Sequence, residues 1–324
     1  MPKNIANYVG ISSFLEQNNG NKGFWNLIDQ FFFKSKEEWA FSTLSATGGT
    51  ELTPGNGYKY HFFTSPGNFT AIDGGGIVDC FIVAGGGGGG TADGGGGGGA
   101  GGVVVGSVIV TPQTYPIVVG SGGNSTNGPG SVPGGQGNSS TAFSITSIGG
   151  GGGKGNSTAP AGGSGGGGSN TSSSGIPGTQ PSQNPGVPGL TQYGNPGGSR
   201  VSSFQGGGGG GAGGAGADGP PSDGGIGISW DPAGGIPVSY GAPGPSPGRW
   251  FAGGGGGQGF PSANFGTGGG PGGPYAGGGE GGKYTTTSGQ DGVANTGGGG
   301  GGGKPAPLRS GAGGSGIVII RYPA

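Results

Sequence analysis

Ile77-Val78-Asp79-Cys80-Phe81-Ile82-Val83-Ala84 runs straight into Gly85–Gly90, then Thr91-Ala92-Asp93, then Gly94–Gly99. The first part reads as a β-strand: it is short, rich in β-branched and aromatic residues, and stopped by glycine. The second part has almost no side chains. Six glycines in a polyproline II conformation span about 19 Å at ~3.1 Å per residue and make no internal hydrogen bonds. Every N–H and C=O of such a run must therefore find a partner on a neighbouring segment or in water. The whole stretch describes a strand that launches a glycine excursion, a turn, and a run back.

The same grammar repeats along the chain. Further runs occur at Gly149–Gly153, Gly165–Gly168, Gly206–Gly211, Gly253–Gly257, Gly268–Gly270, Gly277–Gly279 and Gly297–Gly303. Strand-like segments stand at Tyr58–Phe63, Phe69–Ile72 after a Ser65-Pro66-Gly67-Asn68 turn, Val103–Val105, Val108–Val110 and Tyr115–Val119. The end of the chain, Gly316-Ile317-Val318-Ile319-Ile320-Arg321-Tyr322, is another strong strand. A strand placed after so much glycine implies that the chain returns to the sheet it left. The expected fold is mainly β and irregular: a small β-sheet base (58–119 and 316–322), closed by the C-terminal strand, carrying a bundle of polyglycine II helices. The glycine-rich domain is expected over 46–324, with polyglycine excursions at 85–102 and 149–315.

Composition agrees with that pattern. Glycine occupies 101 of 324 positions and proline 26, while the hydrophobic set reaches 28%, too little for a conventional core throughout. Disordered chains of this kind carry high net charge and few aromatics. Here charged residues are 8%, the net charge is −1 and aromatics are 9%, so nothing forces expansion. A flexible glycine/serine linker would leave the terminal strand unexplained, and glycine in blocks lacks the Gly-X-Y period of collagen.

Residues 1–45 differ from the rest. Phe24-Trp25-Asn26-Leu27-Ile28-Asp29-Gln30-Phe31-Phe32-Phe33, followed shortly by Trp39, is aromatic-rich and free of glycine. A short helix would gather Phe24, Trp25, Leu27, Ile28, Phe31 and Phe32 on one broad apolar side. Such a helix would either fold back on the β base or dock on another protein or another copy. The second use is preferred, because the apolar load is large for so short a piece. With Trp39, these residues form the candidate anchor and oligomerisation segment.

Catalytic chemistry finds no support. The single histidine, His61, alternates with aromatics in an expected strand, where a structural role outweighs a general base. Cys80 lies in an apolar strand and is expected to be a buried, inert thiol. Acids are scattered, so no metal cluster is expected, and no cofactor either. Gly297–Lys304 imitates a phosphate-binding loop, but Pro305 replaces the required Ser or Thr and would break the following helix. Singly scattered cations speak against nucleic acid. No segment approaches the ~20 apolar residues of a membrane span, and the N-terminus lacks a secretion signal. The expectation is a non-enzymatic protein made in the cytoplasm and not inserted into membrane.

Aromatic and arginine residues interrupt the glycine at Tyr193, Arg200, Phe204, Trp230, Tyr240, Arg249, Trp250, Phe251, Phe260, Phe265, Tyr275 and Tyr284. Binding loops combine adaptable Gly, Ser and Asn with rigid aromatic anchors. The alternative use is to cap or pack against the glycine segments. The candidate receptor contacts are Arg249, Trp250 and Phe251, with Trp230, Tyr240 and Tyr275.

Gly76–Ala84 followed by six glycines, together with the ending Gly314-Ser315-Gly316-Ile317-Val318-Ile319-Ile320-Arg321-Tyr322-Pro323, resembles a glycine-rich domain of tailed-bacteriophage structural proteins, marine and cyanobacterial phages included. The likeness covers roughly 45–324, and it extends to the polyglycine sandwich of adhesins at the tips of long tail fibres. It implies a virion protein that recognises a host surface protein or glycan through loops at one end of a slab. Attachment to other virion proteins would use the N-terminal segment, and several copies, a trimer by analogy with fibres, would stand together. Two alternatives remain open: a non-adhesive fibre, capsid-decoration or filament subunit, and an ice-binding bundle. The latter would need a flat face of regular small residues, which the irregular connectors do not offer.

Overall fold

A computed structural model of the chain describes residues 44–127, 130–170, 174–180, 189–201, 204–231, 234–260 and 265–324. The candidate anchor residues Phe24, Trp25, Leu27, Ile28, Phe31, Phe32 and Trp39, and the helix expected to carry them, lie outside that set. Among the described residues there is no helix, and the strands form antiparallel sheets.

The strands are β1 (Ser45–Thr47), β2 (Thr50–Leu52), β3 (Tyr58–Phe63), β4 (Gly67–Asp73), β5 (Gly76–Val83), β6 (Val103–Val110) and β7 (Thr114–Ile117), then β8 (Ser140–Ala142), β9 (Ile145–Ser147), β10 (Leu190–Tyr193), β11 (Ile228–Ser229), β12 (Trp250–Phe251) and β13 (Ile317–Pro323). The main sheet has the order β10-β6-β5-β13-β3-β2. Its C-terminal strand is central: Val318 pairs with Phe63 of β3 on one side and Ile82 of β5 on the other.

Both faces of this sheet carry a core cluster, and strand alternation assigns each residue its side. Phe63, Val78, Cys80, Ile82, Val318, Ile320 and Tyr322 face one cluster, closed by Phe69 and Ile117 of the small sheet β1-β4-β7 and by the β8–β9 hairpin. Tyr60, Phe62, Phe81, Val83, Ile317 and Ile319 face the other, closed by Trp230, Ile236 and Phe251. Fully burying each such side chain contributes about 1.5–3 kcal/mol, so a modest number of residues anchors a long chain.

Two expectations about strands need correction. Val103–Val105 and Val108–Val110 are one strand, β6, because Gly106 continues the pairing with Cys80 of β5 and Leu190 of β10. A Cβ at Gly106 would meet the backbone and side chain of Leu190, so the glycine marks a close approach of strands rather than a break. The stretch 149–315 is also more than excursion: it contains β10, β11 and β12, and β10 returns the chain to the main sheet midway.

From β5, β6 and β13 the chain passes into glycine, where hydrogen bonds follow a three-residue period. Gly85 and Gly88 donate to Asn138 and Gly135, Gly86 and Gly89 to Gly314 and Gly311, and Gly87 and Gly90 to Gly99 and Gly96. Their carbonyls accept from Gly150 and Gly153, from Gly300 and Gly303, and from Gly123. One threefold segment is thus ringed by six others, three taking its N–H bonds and three supplying bonds to its carbonyls. Gly94–Gly102 has the same environment, donating to 148–154, 207–210 and 297–300 and accepting from 87–90, 164–167 and 255–258. The six uninterrupted runs of five or more glycines are buried along their whole length. They are interior because only a backbone without Cβ atoms can be approached from every side.

His61 gives the β base a pH dependence. It is fully buried, with Nδ1 2.7 Å from the Gly48 carbonyl and Nε2 3.3 Å from the Tyr322 hydroxyl. The carbonyl can only accept, so Nδ1 carries the proton and Nε2 accepts from Tyr322. Burial pushes the imidazole below its ordinary value, against an opposing pull from the Gly48 bond and Glu51. Its folded pKa is depressed, so the unfolded chain binds more protons below about pH 6.5 and stability falls as pH drops through that range. Thermal melts between neutral pH and about pH 5 should show this slope in the wild type, and His61→Gln should flatten it.

Candidate functional site

The hydrogen-bond ladder sorts every connector to one end of the glycine segments. Beside the sheet lie Ala84 with Gly102, Gly101 with Gly297, Gly102 with Ile148, Gly316 with Gly120, and Ala212 with Ala252. At the other end Thr91 bonds Val132, Ala92 bonds Gly303, Ser310 bonds Thr126, Asn170 bonds Gly94, Tyr284 bonds Gly259 and Gly289 bonds Arg309. The two ends differ in kind: one is plugged by the sheet, the other is made of loops.

The aromatic residues selected from sequence sit at the sheet end. Phe251 is fully buried and packs edge-on against Phe81 at 5.0 Å. Trp230 stacks on the same ring at 4.8 Å and Tyr240 stacks on Phe62 at 4.3 Å. Arg249 donates to the carbonyls of Tyr240, Val238 and Gly241 at 2.6–2.8 Å. Trp250 donates from Nε1 to the Ser246 carbonyl. Tyr275 is half-buried next to Ala276, which bonds the Pro243 carbonyl. In this arrangement Trp230, Tyr240, Arg249 and Phe251 fasten the segment around β11 and β12 over the sheet face.

Beside them lies an ion pair between buried Arg321 and half-buried Asp79. Arg321 Nε is 3.0 Å from Asp79 Oδ2, and its guanidinium lies 4.2 Å from the Tyr58 ring centroid and 5.7 Å from that of Trp230. Cys80, next to Asp79, is buried, and burial pushes its thiol up to about 12, so it stays protonated at neutral pH. Among the described residues no group of three or more His, Cys, Asp or Glu could hold a metal ion.

The distal end gathers a different set. Phe204, Phe260 and Tyr284 come from three separate connectors, and their ring centroids are 5.0–5.7 Å apart in edge-to-face contact. Phe204 is 37% and Phe260 42% exposed. The Lys304 ammonium lies 4.0 Å over the Tyr284 ring and that of Lys283 lies 4.8 Å over Phe265. Lys154, Arg200 and Arg309 share this end; burial lowers the Lys154 ammonium, while Arg309 is paired with Asp291 at 2.7 Å. Below the aromatic group Gln205 Nε2 donates to the Phe260 carbonyl, and the fully buried Gln258 accepts at Oε1 from the N–H groups of Gly94 and Gly95.

Position relative to glycine was the signal for this patch. Phe204-Gln205 precedes Gly206–Gly211, Gln258-Gly259-Phe260 follows Gly253–Gly257, and Lys304 follows Gly303. Residues flanking the same end of parallel and antiparallel runs must meet in space.

The architecture defines a class: a short antiparallel β base from which glycine segments with mutual backbone hydrogen bonds rise into loops. The glycine-rich domain family matches residues 64–323, and the chain belongs to it. A search of curated proteins finds no match to the chain.

Proposed function

We propose that this chain is a virion structural protein of the tail-fibre or adhesin type, in which a bundle of polyglycine II helices carries recognition loops to a host surface. The threefold hydrogen-bond period and the ring of six neighbours support reading the glycine segments as polyglycine II. The observation that carries the function is the polarity of the ends. Both hydrophobic core clusters of the described residues lie at the sheet, while the far end offers an exposed aromatic and cationic group built from several connectors. Rigid scaffolds that present aromatic side chains on adjacent loops are suited to binding.

The sheet end is the side of attachment in this proposal. There Ile77 is 62% and Ile109 80% exposed, and the two are cross-strand partners on the sheet. Exposed paired isoleucines favour a contact with other virion proteins or with further copies, and residues 1–45 are the proposed anchor. A second reading, a building block of a fibre or filament without a receptor, draws on the same pair.

Binding of labelled full-length protein to intact candidate host cells separates the two. The Phe260→Ala/Tyr284→Ala double variant should lose most cell binding with only a small drop in melting temperature, because Phe260 is exposed, Tyr284 is half-buried and both lie away from the core. Arg249→Ala should instead lower stability. If the wild type binds no cells yet assembles into ordered particles that Ile109→Lys disrupts, the building-block reading replaces the adhesin.

A further inference from the structure

We propose that the distal patch takes an acidic saccharide, a sugar chain bearing carboxylate or phosphate groups; this rests on the reading of the distal end as the contact surface. Charge is the first support. The described residues hold three ion pairs, Lys59–Glu51, Arg309–Asp291 and Arg321–Asp79, and only one involves a distal cation. Lys154, Arg200, Lys283 and Lys304 therefore stand at one end without an ionic partner among the described residues. Of the acids at this end, Asp218 accepts from the Ser199 N–H at 2.5 Å, Asp223 from Thr267 at 2.8 Å and Glu280 from Gln290 at 2.9 Å, while Asp93 lies in the turn before Gly94 and leaves the cations in excess.

Hydrogen-bonding capacity is the second. Gln258 is held with Oε1 on two backbone N–H groups at 3.0 Å, which fixes the amide orientation and makes Nε2 a pure donor. That Nε2 is buried and has no partner, as is Arg200 Nε. Arg200 Nη1 donates to Asn170, whose N–H bonds the Gly94 carbonyl, so both donors belong to one network around Gly94. Cations and unmatched N–H donors together call for a ligand rich in acceptors.

Ring geometry decides between acceptor-rich ligands. Phe204, Phe260 and Tyr284 meet at interplanar angles of 61–71°. Their edge-to-face arrangement gives no pair of parallel ring faces on which successive nucleic-acid bases stack. A sugar ring needs one aromatic surface for its C–H face and cations at its edge. Phe204 and Phe260 offer exposed ring surface, and Lys304 and Lys283, held over the rings of Tyr284 and Phe265, supply the cations.

The test is binding of full-length protein to a polyuronate oligosaccharide, a phosphorylated saccharide of similar length, a neutral glucan, poly-glutamate and single-stranded DNA, each at low and high salt. The expected result is binding to one or both acidic sugars and none to the neutral glucan. That binding should weaken with salt as exposed charges are screened. The Lys283→Ala/Lys304→Ala variant should bind about tenfold more weakly, and Phe260→Ala at least as much so. The two sugar arms separate carboxylate from phosphate as the recognised group. Equal binding of the neutral glucan, indifference to the lysine variant, or equal capture of poly-glutamate or DNA overturns the proposal. Cell binding that still depends on Phe260 in those cases keeps the distal contact surface standing. Cell binding indifferent to every distal variant removes that surface as well.

Discussion

Gly98→Ala should unfold the glycine bundle, although it adds a single methyl group. Gly98 donates to the Gly300 carbonyl at 2.8 Å and accepts from the Gly255 N–H at 2.9 Å. Its added Cβ would lie less than 3.0 Å from the backbone of Gly87 and Gly88, closer than real Cβ atoms come. In an ordinary core an oversized side chain is relieved by rotamer changes, at about 1–3 kcal/mol. No rotamers exist here, because the colliding atoms are backbone and the struck segment is itself held by six neighbours. The penalty should therefore reach about 4–5 kcal/mol or more, the level at which a marginally stable domain no longer folds. Alanine also narrows the unfolded ensemble, but that returns only ~0.4–1 kcal/mol. Gly130→Ala is the matched control: nothing lies within 4 Å of its added Cβ, so it should be neutral or slightly stabilising. Thermal melts and limited proteolysis read both. A Gly98→Ala protein that melts within about 2–4 °C of wild type, equivalent to roughly 1 kcal/mol, would overturn the account of the bundle.

Deleting Gly316–Ala324 should abolish folding altogether. β13 lies between β3 and β5, so its loss leaves two internal edges unpaired. It also empties both cores, since Ile317 and Ile319 belong to one cluster and Val318, Ile320 and Tyr322 to the other. Asp79 loses Arg321 as well. Ile319→Ala alone should cost about 2–5 kcal/mol. The truncated chain should be insoluble or digested throughout, and soluble protein with wild-type circular dichroism would refute this. Because β5 must wait for a strand more than two hundred residues later, refolding should be slow, as expected for topologies rich in distant contacts.

Much of this was legible in the residues. β-branched and aromatic density located β3, β5 and β13 within a residue or two, and it marked Cys80 as interior and His61 as structural. The long glycine runs announced segments that no side chain could separate. The partners of each run were not legible. Gly85–Gly90 and Gly206–Gly211 are the same string of letters, and glycine carries no group that could specify a neighbour.

The position of the candidate contact residues in the fold was not legible either. Arg249-Trp250-Phe251 has the composition of an interface anchor, yet composition does not say at which end of a run a connector lies. Counting runs fails too, since the chain descends from Asn156, beside Ser131, past Pro160, beside Gly152, to Gly163, beside Gly149, without a glycine run to mark the passage.

By itself the sequence determined that the chain makes a β base, that it leaves the base repeatedly as naked backbone, and that it returns at its end. Those properties are local: they follow from which side chains are present or missing in each short stretch. Only the tertiary structure decided which segments are neighbours, that the last strand is central, and that Phe204, Phe260, Tyr284 and Lys304 share one surface while Trp230 and Phe251 are core. The physical reason is that backbone hydrogen bonds make most of the links between the glycine segments, and such bonds are chemically identical at every residue. Their pairing is set by the strands and connectors that position the runs.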